Sequence, residues 1–551
     1  MTHRSIFTPS RRTVLKTGAA AGVAAFAPAI LRAQGKRVRK NVASPEAAKD
    51  VQSYKDAVAA MLKLPADDPR NWYRVAMVHL MDCPHGNWWF TTWHRGYLGY
   101  FEQLCREMSG NHDFMLPYWD WTASPDVPEQ MFGAANPLDP VNYVIDDKGT
   151  YGYIPDFATF ENQVRGPMEA LWNAMTVDQK TEQAKRMNPD FKTFWSDPAN
   201  GAVASFQVPH HARLATAANP SLDVNALPLV TLDTILSALA PTDFAGDGVT
   251  FENEVTSTHQ GAPHGSASFS MLSNSHNKVH NSIGGYLYEK SEGNYSYEPP
   301  YGLMTNNLSP LDPVFFLHHG NIDRLWDVWT RKQISIGQLI RPNDDLIDDY
   351  KTEPFLFFVN GKGEQVTMDN TAWDYFDMAR FDYTYEPGSG EEVVRAPASK
   401  LVAQRNAGSA TLPAGAALAL RISEGLAQSV EQGPADAQHF AQVTFIPPAQ
   451  AQGQVFRLFI SPEGADADMD PNGPEFAGSF SFFGQPHHPV PTTFTLPIDK
   501  TLDQMQESGV LEPGAPIAFT LVIAGSGTVI TSERTDAGQL QSVDVQVLSS
   551  S

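Results

Sequence analysis

Apolar residues recur along this chain in two rhythms, and the change from one to the other falls near residue 400. The first rhythm is helical. Residues 44–64 predict a helix with Ser44 as its cap and Pro45 following. Over 70–81, Trp72, Val75, Ala76 and His79 fall on one face of a second helix. A third opens at His94, where His94, Leu98, Phe101 and Cys105 share a stripe. The stretch 123–252 mixes loops with short helices, including 160–175 and 178–192, and its Pro and Asp content predicts surface structure over the helical part. Beyond it, His276 and His280 stand four apart on one side of a helix. Asp312 and Pro313 cap and open another, with Phe315, His319, Asp323 and Trp326 along one stripe. Residues 355–363 predict a hairpin.

The second rhythm is that of strands. After a Pro-, Gly- and Ser-rich stretch over 386–399, apolar runs at 417–422, 440–446, 455–460, 493–497, 517–523 and 543–547 alternate between Gly and Pro turns, which predicts a β-sandwich. The boundaries drawn are a helical domain over 40–390, a linker over 391–400 and a sandwich over 401–551.

A length of 551 residues is too great for one ordinary core, and 42% hydrophobic composition argues against disorder. Residues 1–33 stand apart. Ser10-Arg11-Arg12-Thr-Val-Leu-Lys16 precedes an Ala-rich run ending near Leu31-Arg-Ala33, the pattern of a twin-arginine export signal, so a periplasmic or secreted protein is expected. No other apolar run is long enough to span a bilayer. Residues 1–33 hold five basic and no acidic residues, so their removal takes the net charge from −23 to −28. Such acidity argues against nucleic acid as a partner and leaves the substrate open.

Histidines supply the candidate chemistry. His85-Gly-Asn-Trp-Trp-Phe-Thr-Thr-Trp-His94-Arg95 sets two of them nine apart, and an inward imidazole on a helix is how a bundle builds a metal site. His276-Asn-Lys-Val-His280 offers two rings to one ion. Zinc proteases share that spacing but need Glu directly after the first His, where Asn277 stands here. Leu311-Asp-Pro-Val-Phe-Phe-Leu-His318-His319-Gly-Asn-Ile-Asp323-Arg324-Leu-Trp326 adds two adjacent histidines.

On these motifs the chain resembles the tyrosinase, catechol oxidase and molluscan haemocyanin family of type 3 copper proteins. The first stretch fits the family's His, aromatic spacer, Trp-His-Arg pattern and the last its Asp-Pro-x-Phe, His, Asp pattern. Leu116-Pro-Tyr-Trp-Asp-Trp121 and Tyr383-Thr-Tyr385 resemble further family segments, and Glu475-Phe-Ala-Gly-Ser-Phe480 one in the carboxy-terminal domain of plant polyphenol oxidases. The resemblance, over roughly 70–390, implies a mainly α chain, with a four-helix-bundle copper domain followed by the sandwich. It implies two copper ions, one on His79, His85 and His94 and the other on His276, His280 and His319, with O2 as co-substrate and small phenols as substrates. It selects His319 over His318; adjacency to that ligand then makes His318 a hydrogen-bonding neighbour and Asp323 the residue expected to orient a ligand imidazole. Phe315 becomes a wall of the substrate site, and Asn277 the anchor of a base-like water acting on a phenol of pKa about 10. The Glu that plant members carry four residues before the first histidine of the second site is Leu272 here.

Cys83-Pro-His85 has the spacing at which fungal tyrosinases and molluscan haemocyanins carry a Cys-to-His thioether, while a disulfide to Cys105 is the ordinary reading of two cysteines in an exported protein. Arg95 and Arg324 are expected in ion pairs, and His112, His210, His211, His259, His264, His439, His487 and His488 as core or surface residues.

Six neutral imidazoles suit copper in both oxidation states, and catechol oxidation removes the two electrons that two coppers accept. The resulting reading is a tyrosinase, with a catechol oxidase lacking monophenolase activity and a haemocyanin-like oxygen carrier as alternatives. In relatives with such a sandwich a loop side chain fills the site's mouth; the candidate here is Gly464-Ala-Asp-Ala-Asp-Met-Asp-Pro-Asn-Gly473. Mild acid, detergent or cleavage within 386–399 is expected to loosen an acidic interface and raise turnover.

Overall fold

The computed structural model describes residues 37–142, 157–197, 201–207, 213–246, 248–259, 267–285, 287–291, 294–297, 302–395, 401–411, 418–420, 437–448, 451, 454–461, 469–483, 490–511, 517–533, 535–536 and 538–550. The export signal expected at 1–33 lies outside the described residues.

Five long helices carry the site: α1 (Ala48–Lys63), α2 (Trp72–Asp82), α3 (Phe90–Ser109), α4 (Met271–Gly284) and α5 (Val314–Ile336). Local chemistry sets their ends. The Asn71 side chain accepts from the N–H groups of Tyr73 and Arg74 at the start of α2, and Ser270 accepts from Ser273 at the start of α4. Asp312 Oδ1 accepts from Val314 N–H (3.0 Å), so α5 opens one residue later than expected. Helices α3 and α5 stop at the left-handed Gly110 and Gly337. The region expected as one helix over 178–192 is two, Val177–Lys185 and Phe191–Ser196, because Pro189 between them cannot continue a helix. The hairpin expected from 355–363 forms as an irregular one, with bridges Val359 to Gln365 and Pro354 to Thr371 and Val366 N–H donating to the Phe358 carbonyl (2.9 Å).

Strand β1 (Val38–Arg39) pairs in parallel with β5 (Thr384–Tyr385); between them in the chain come β2 (Ala267–Phe269) and a hairpin of β3 (Leu287–Ser291) and β4 (Asn294–Tyr297). The helical part therefore begins before residue 40. Arg39 is fully buried, its Nε donating to Glu102 (2.9 Å) and its NH1 to Tyr385 Oη (2.8 Å) and Asp323 (3.2 Å).

The carboxy-terminal part holds β6 (Leu401–Thr411), β7 (Leu418–Leu420), β8 (Gln438–Ile446), β9 (Val455–Ser461), β10 (Phe476–Ser481), β11 (Thr492–Pro497), β12 (Ile517–Ile523), β13 (Val529–Ile530) and β14 (Gln539–Ser550). One sheet runs β10-β9-β12-β13 with β7 also on β12, the other β2-β11-β8-β14-β6. Phe456, Phe480 and Phe519 from the first sheet and Val443, Phe494 and Val545 from the second share one core. Strands β6, β10 and β13 escaped the sequence reading, since none shows a clean apolar alternation.

The two parts interlock. Strand β2, from the helical half, lies parallel to β11 as an edge of the second sheet, and its Phe269 belongs to the sheet core. In return Phe440 and Leu548 belong to the helical core. Nor is 391–395 a loose linker. Glu392–Arg395 is helical, Glu391 accepts from Arg331 NH1 (2.8 Å), and Ser389 N–H donates to Asp120 (2.8 Å). No helix among the described residues is long and apolar enough to cross a membrane.

Candidate metal centre

Helix α2 brings in His79, the turn after it Cys83 and His85, and the first turns of α3 His94; α4 brings His276 and His280, and α5 brings His318 and His319. Their donor atoms form two groups, His79, Cys83, His85, His94 and His276, His280, His318, His319, each within 4.8 Å. The groups face each other, the His94 ring stacking on that of His319 with centroids 4.0 Å apart. Only His85 of these residues is partly exposed.

The backbone decides which nitrogen each ring offers. Nδ1–H donates to the carbonyl of Asn307 from His79 (2.7 Å), of Phe90 from His94 (2.8 Å) and of Met304 from His280 (2.7 Å), and to Asn277 Oδ1 from His276 (3.0 Å). Each of these rings therefore keeps a bare lone pair on Nε2. The Nε2 atoms of His276 and His280 both lie 3.2 Å from Nε2 of His319. Nothing holds Nδ1 of His319, so its Nε2 can donate a proton to these lone pairs or, unprotonated, join them on one cation, and nitrogens about 2.0–2.1 Å from one ion take roughly this separation. His79 Nε2 is buried without a partner. Burial pushes His79 and His276 down to about 3, and His85, His94, His280, His318 and His319 well below the usual histidine range. All are neutral at neutral pH, which is the ligating form. The residues present fit two imidazole-held metal ions.

His318 differs from its neighbour. Trp121 Nε1–H donates to its Nδ1 (3.1 Å), so in the neutral ring Nε2 carries the proton and has no lone pair to give. It stacks on His276 instead, centroids 5.2 Å apart.

Asp323 does not orient an imidazole. Its carboxylate accepts from Arg95 Nε (2.7 Å), Arg39 NH1 (3.2 Å), Tyr385 Oη (2.6 Å) and Tyr383 Oη. His319 Nδ1, one turn earlier on α5, has no partner. Asp323 is thus the anion of a buried cluster joining α3, α5, β1 and β5, with Arg95 stacked on Trp326 at 3.5 Å. Arg324 Nε donates to Asn321 (2.8 Å).

Cys83 and Cys105 are both buried and unpaired, so no disulfide joins them. Cys83 Sγ lies 3.5 Å from His85 Nε2 and 3.4 Å from His94 Nε2. A further group, Glu182, His259 and Glu353, reads otherwise: both ring nitrogens of His259 are hydrogen-bonded to carboxylates, Nε2 to Asp82 (2.8 Å) and Nδ1 to Glu353. A ring donating from both nitrogens is a protonated ion-pair partner with no lone pair left.

Phe315 packs on the cage, 4.2 Å from His319 and 5.1 Å from His79 between centroids. The opposite wall is Phe483, just past β10, whose ring lies 4.1 Å from His280, 4.9 Å from His85 and 5.5 Å from His276. From the sequence this side chain is expected in 464–473. Residues 464–468 lie outside the described residues, and 469–473 hold a turn closed by Gly473 N–H donating to the Asp470 carbonyl (2.9 Å). The usable signal was the Phe-Ser-Phe-Phe run directly after the Glu475 segment. Asn277 accepts from His276 Nδ1 on Oδ1 (3.0 Å) and donates from Nδ2 to the Ser481 carbonyl (2.9 Å).

Residues 56–332 match the sequence family described as the common central domain of tyrosinase. The chain is 23% identical to (+)-larreatricin hydroxylase of Larrea tridentata over 61% of its own length and 47% of the relative's. It is 25% identical to tyrosinase HcTyr1 of Hahella sp. over 55% of its length and 47% of that relative's. The chain thus spans about half the length of these curated relatives. Its fold is shared with a solved latent aurone synthase, a polyphenol oxidase (TM-score 0.51, 18% identity, 94% of this chain and 90% of that one), and with an Aspergillus oryzae pro-tyrosinase variant (TM-score 0.50, 16% identity, 94% and 92%).

Proposed function

We propose, from the premise that the chain belongs to the tyrosinase family of type 3 copper proteins, that His79, His85 and His94 hold one copper ion, that His276, His280 and His319 hold the other, and that the pair oxidises phenols to o-quinones with O2. The supporting observation is the convergence of bare Nε2 lone pairs in a buried, neutral, carboxylate-free cage. Copper bound there supplies the two-electron exchange with O2.

The chain's own residues do the rest. Main-chain carbonyls on Nδ1 lock three rings in orientation and tautomer, so no reorganisation is needed on metal uptake. Phe315 and Phe483 both pack their rings on the cage, 4.2 Å from His319 and 4.1 Å from His280 between centroids. Phe483 occupies the place a substrate ring would take, so this arrangement is a closed one, and turnover needs that segment to withdraw. The thioether expected between Cys83 and His85 belongs to the same proposal, supported by Sγ lying 3.5 Å from His85 Nε2, and would tether this partly exposed ring.

Catechol oxidase without monophenolase activity is the second reading, favoured by one observation. A monophenol must lose its proton to bind, and Leu272, where plant members carry Glu, offers no base. Copper-loaded protein assayed in parallel with a monophenol and a catechol, with O2 uptake recorded, separates the readings. Uptake with both supports tyrosinase, with catechol alone the second reading, and reversible O2 binding without turnover the carrier. Export by the twin-arginine route from residues 1–33 belongs to the same proposal, and an intact amino terminus on protein recovered from the periplasm or medium would refute it.

A further inference from the structure

Helix α4 carries Asn274, Asn277 and Asn281 at spacings of three and four, on one face and fully buried. Strand β10, the edge of its sheet, lies along that face. Nδ2 of Asn274 donates to the Ser479 carbonyl (3.1 Å), Nδ2 of Asn277 to that of Ser481 (2.9 Å), and Nδ2 of Asn281 to that of Phe482 (3.0 Å) and to Ser481 Oγ (2.8 Å). Three of the four acceptors are main-chain carbonyls, so the helix reads backbone rather than side-chain identity. The next residue, Phe483, puts its ring among His85, His276 and His280.

Two polar atoms of this row are left over. Asn274 Oδ1 and Asn281 Oδ1 are buried with no partner, and turning either amide over would set its oxygen against a carbonyl. A row that donates to carbonyls and keeps acceptors in reserve is complementary to an extended backbone, which offers both C=O and N–H. Strand β10 uses only the donor half.

We propose that Asn274, Asn277 and Asn281 form a main-chain-binding subsite for an extended polypeptide, occupied here by the chain's own Ser479–Phe483, and that the enzyme's substrates include phenolic side chains, tyrosyl or dopa, within such a polypeptide. The inference rests on the phenol-oxidising reading above. The bound segment fixes the register: the carbonyls read belong to residues four, two and one before the aromatic residue, so recognition lies on the amino-terminal side of the phenol. For a tyrosyl residue the reaction balances as side-chain phenol plus O2 giving o-quinone plus water, and for dopa two side chains share one O2 and yield two waters.

The test uses copper-loaded full-length protein in submicellar detergent, with N-acetyl-dopa amide and two blocked pentapeptides of Gly, Ser and dopa, one with dopa last and one with dopa first. Both comparators keep a carbonyl directly before the dopa in their acetyl group, so two neutral hydrogen bonds set dopa-last apart, about five- to a hundredfold at their usual net strength, and its KM should be at least about fivefold below the other two. Equal KM values overturn the proposal. In Asn274→Leu the KM ratio of dopa-last to dopa-first should move towards one, whatever the absolute activity, whereas Asn281→Leu, which removes the main-chain bond both peptides share, should raise both KM values; an unchanged ratio in Asn274→Leu overturns the subsite. Should those variants fail to fold, the peptide Ser-Phe-Ser-Phe-Phe, labelled and titrated onto the wild-type chain, should bind more tightly than the same residues rearranged with serine last; equal or absent binding overturns the subsite. Bound copper with no O2 uptake from any dopa compound sinks the phenol-oxidase reading instead, and the peptide titration then still decides the subsite.

Discussion

At the scale of single residues, His318 and His319 differ by which ring nitrogen is engaged. Trp121 holds His318 Nδ1 and so protonates its Nε2, whereas His319 Nε2 meets two bare lone pairs. His319→Ala should therefore lose copper and turnover, and His318→Ala should keep more copper; metal analysis of the two proteins in the reverse order would refute the ligand set. Cys83 sits equally near two rings, so distance alone does not choose its partner. The expected thioether to His85 makes the reduced, denatured protein two hydrogens lighter by intact mass and leaves only Cys105 to alkylate. Two alkylated thiols would show a free Cys83.

At the scale of elements, α3 must pass close to the segment after α5 while holding His94 in register. Gly99 makes room: a Cβ there would lie 2.3 Å from Cε2 of Phe381, whose ring stacks on Tyr375. Alanine gains helix propensity of about 1 kcal/mol at such a site, but overpacking a closed core costs about 1–3 kcal/mol. With both ring faces enclosed the second effect should win, and Gly99→Ala should lower the thermal midpoint; an unchanged or higher midpoint would mean the ring relaxes freely. Helix α4 shows the opposite problem. Every residue in it is buried, amides included, so it is stable only where something supplies their partners, and β10 does so.

At the scale of the whole molecule, the sheets are held on the helices by the β2–β11 pair, the Phe269 insertion and the asparagine row. These contacts are apolar, main-chain or amide in character. Trypsin cleaving after Arg395 or Lys400 should accordingly leave two fragments that co-elute with unchanged copper and turnover until detergent is added; release on cleavage alone would refute this interlock. A pH effect does belong to His259. Burial lowers its affinity for protons, but Asp82 and Glu353 more than reverse this and raise it to about 9. Its folded value is above the ordinary 6.5, so its contribution is fully present below about 6.5 and is lost as pH rises through about 9. Denaturant unfolding should lose on the order of 2 kcal/mol more between pH 7 and 10 in the wild type than in His259→Gln, and parallel losses would show that His259 is not the group responsible.

The sequence by itself determined which helices carry imidazoles and on which face, because a period of 3.6 residues ties position to direction for His79, His94, His276, His280 and His319 alike. It also determined the appended strands wherever apolar residues alternate, since a half-buried strand leaves that mark. What it left undecided were partnerships made across hundreds of residues. Asp323 stands one turn from His319 yet bonds to Arg39, Arg95, Tyr383 and Tyr385, because the side of a helix a carboxylate leans towards depends on which cations pack there. Phe483 is one phenylalanine among 31, and only the docking of β10 on α4 sets its ring among the histidines. Local periodicity records which residues turn inward; tertiary packing alone decides what they meet there.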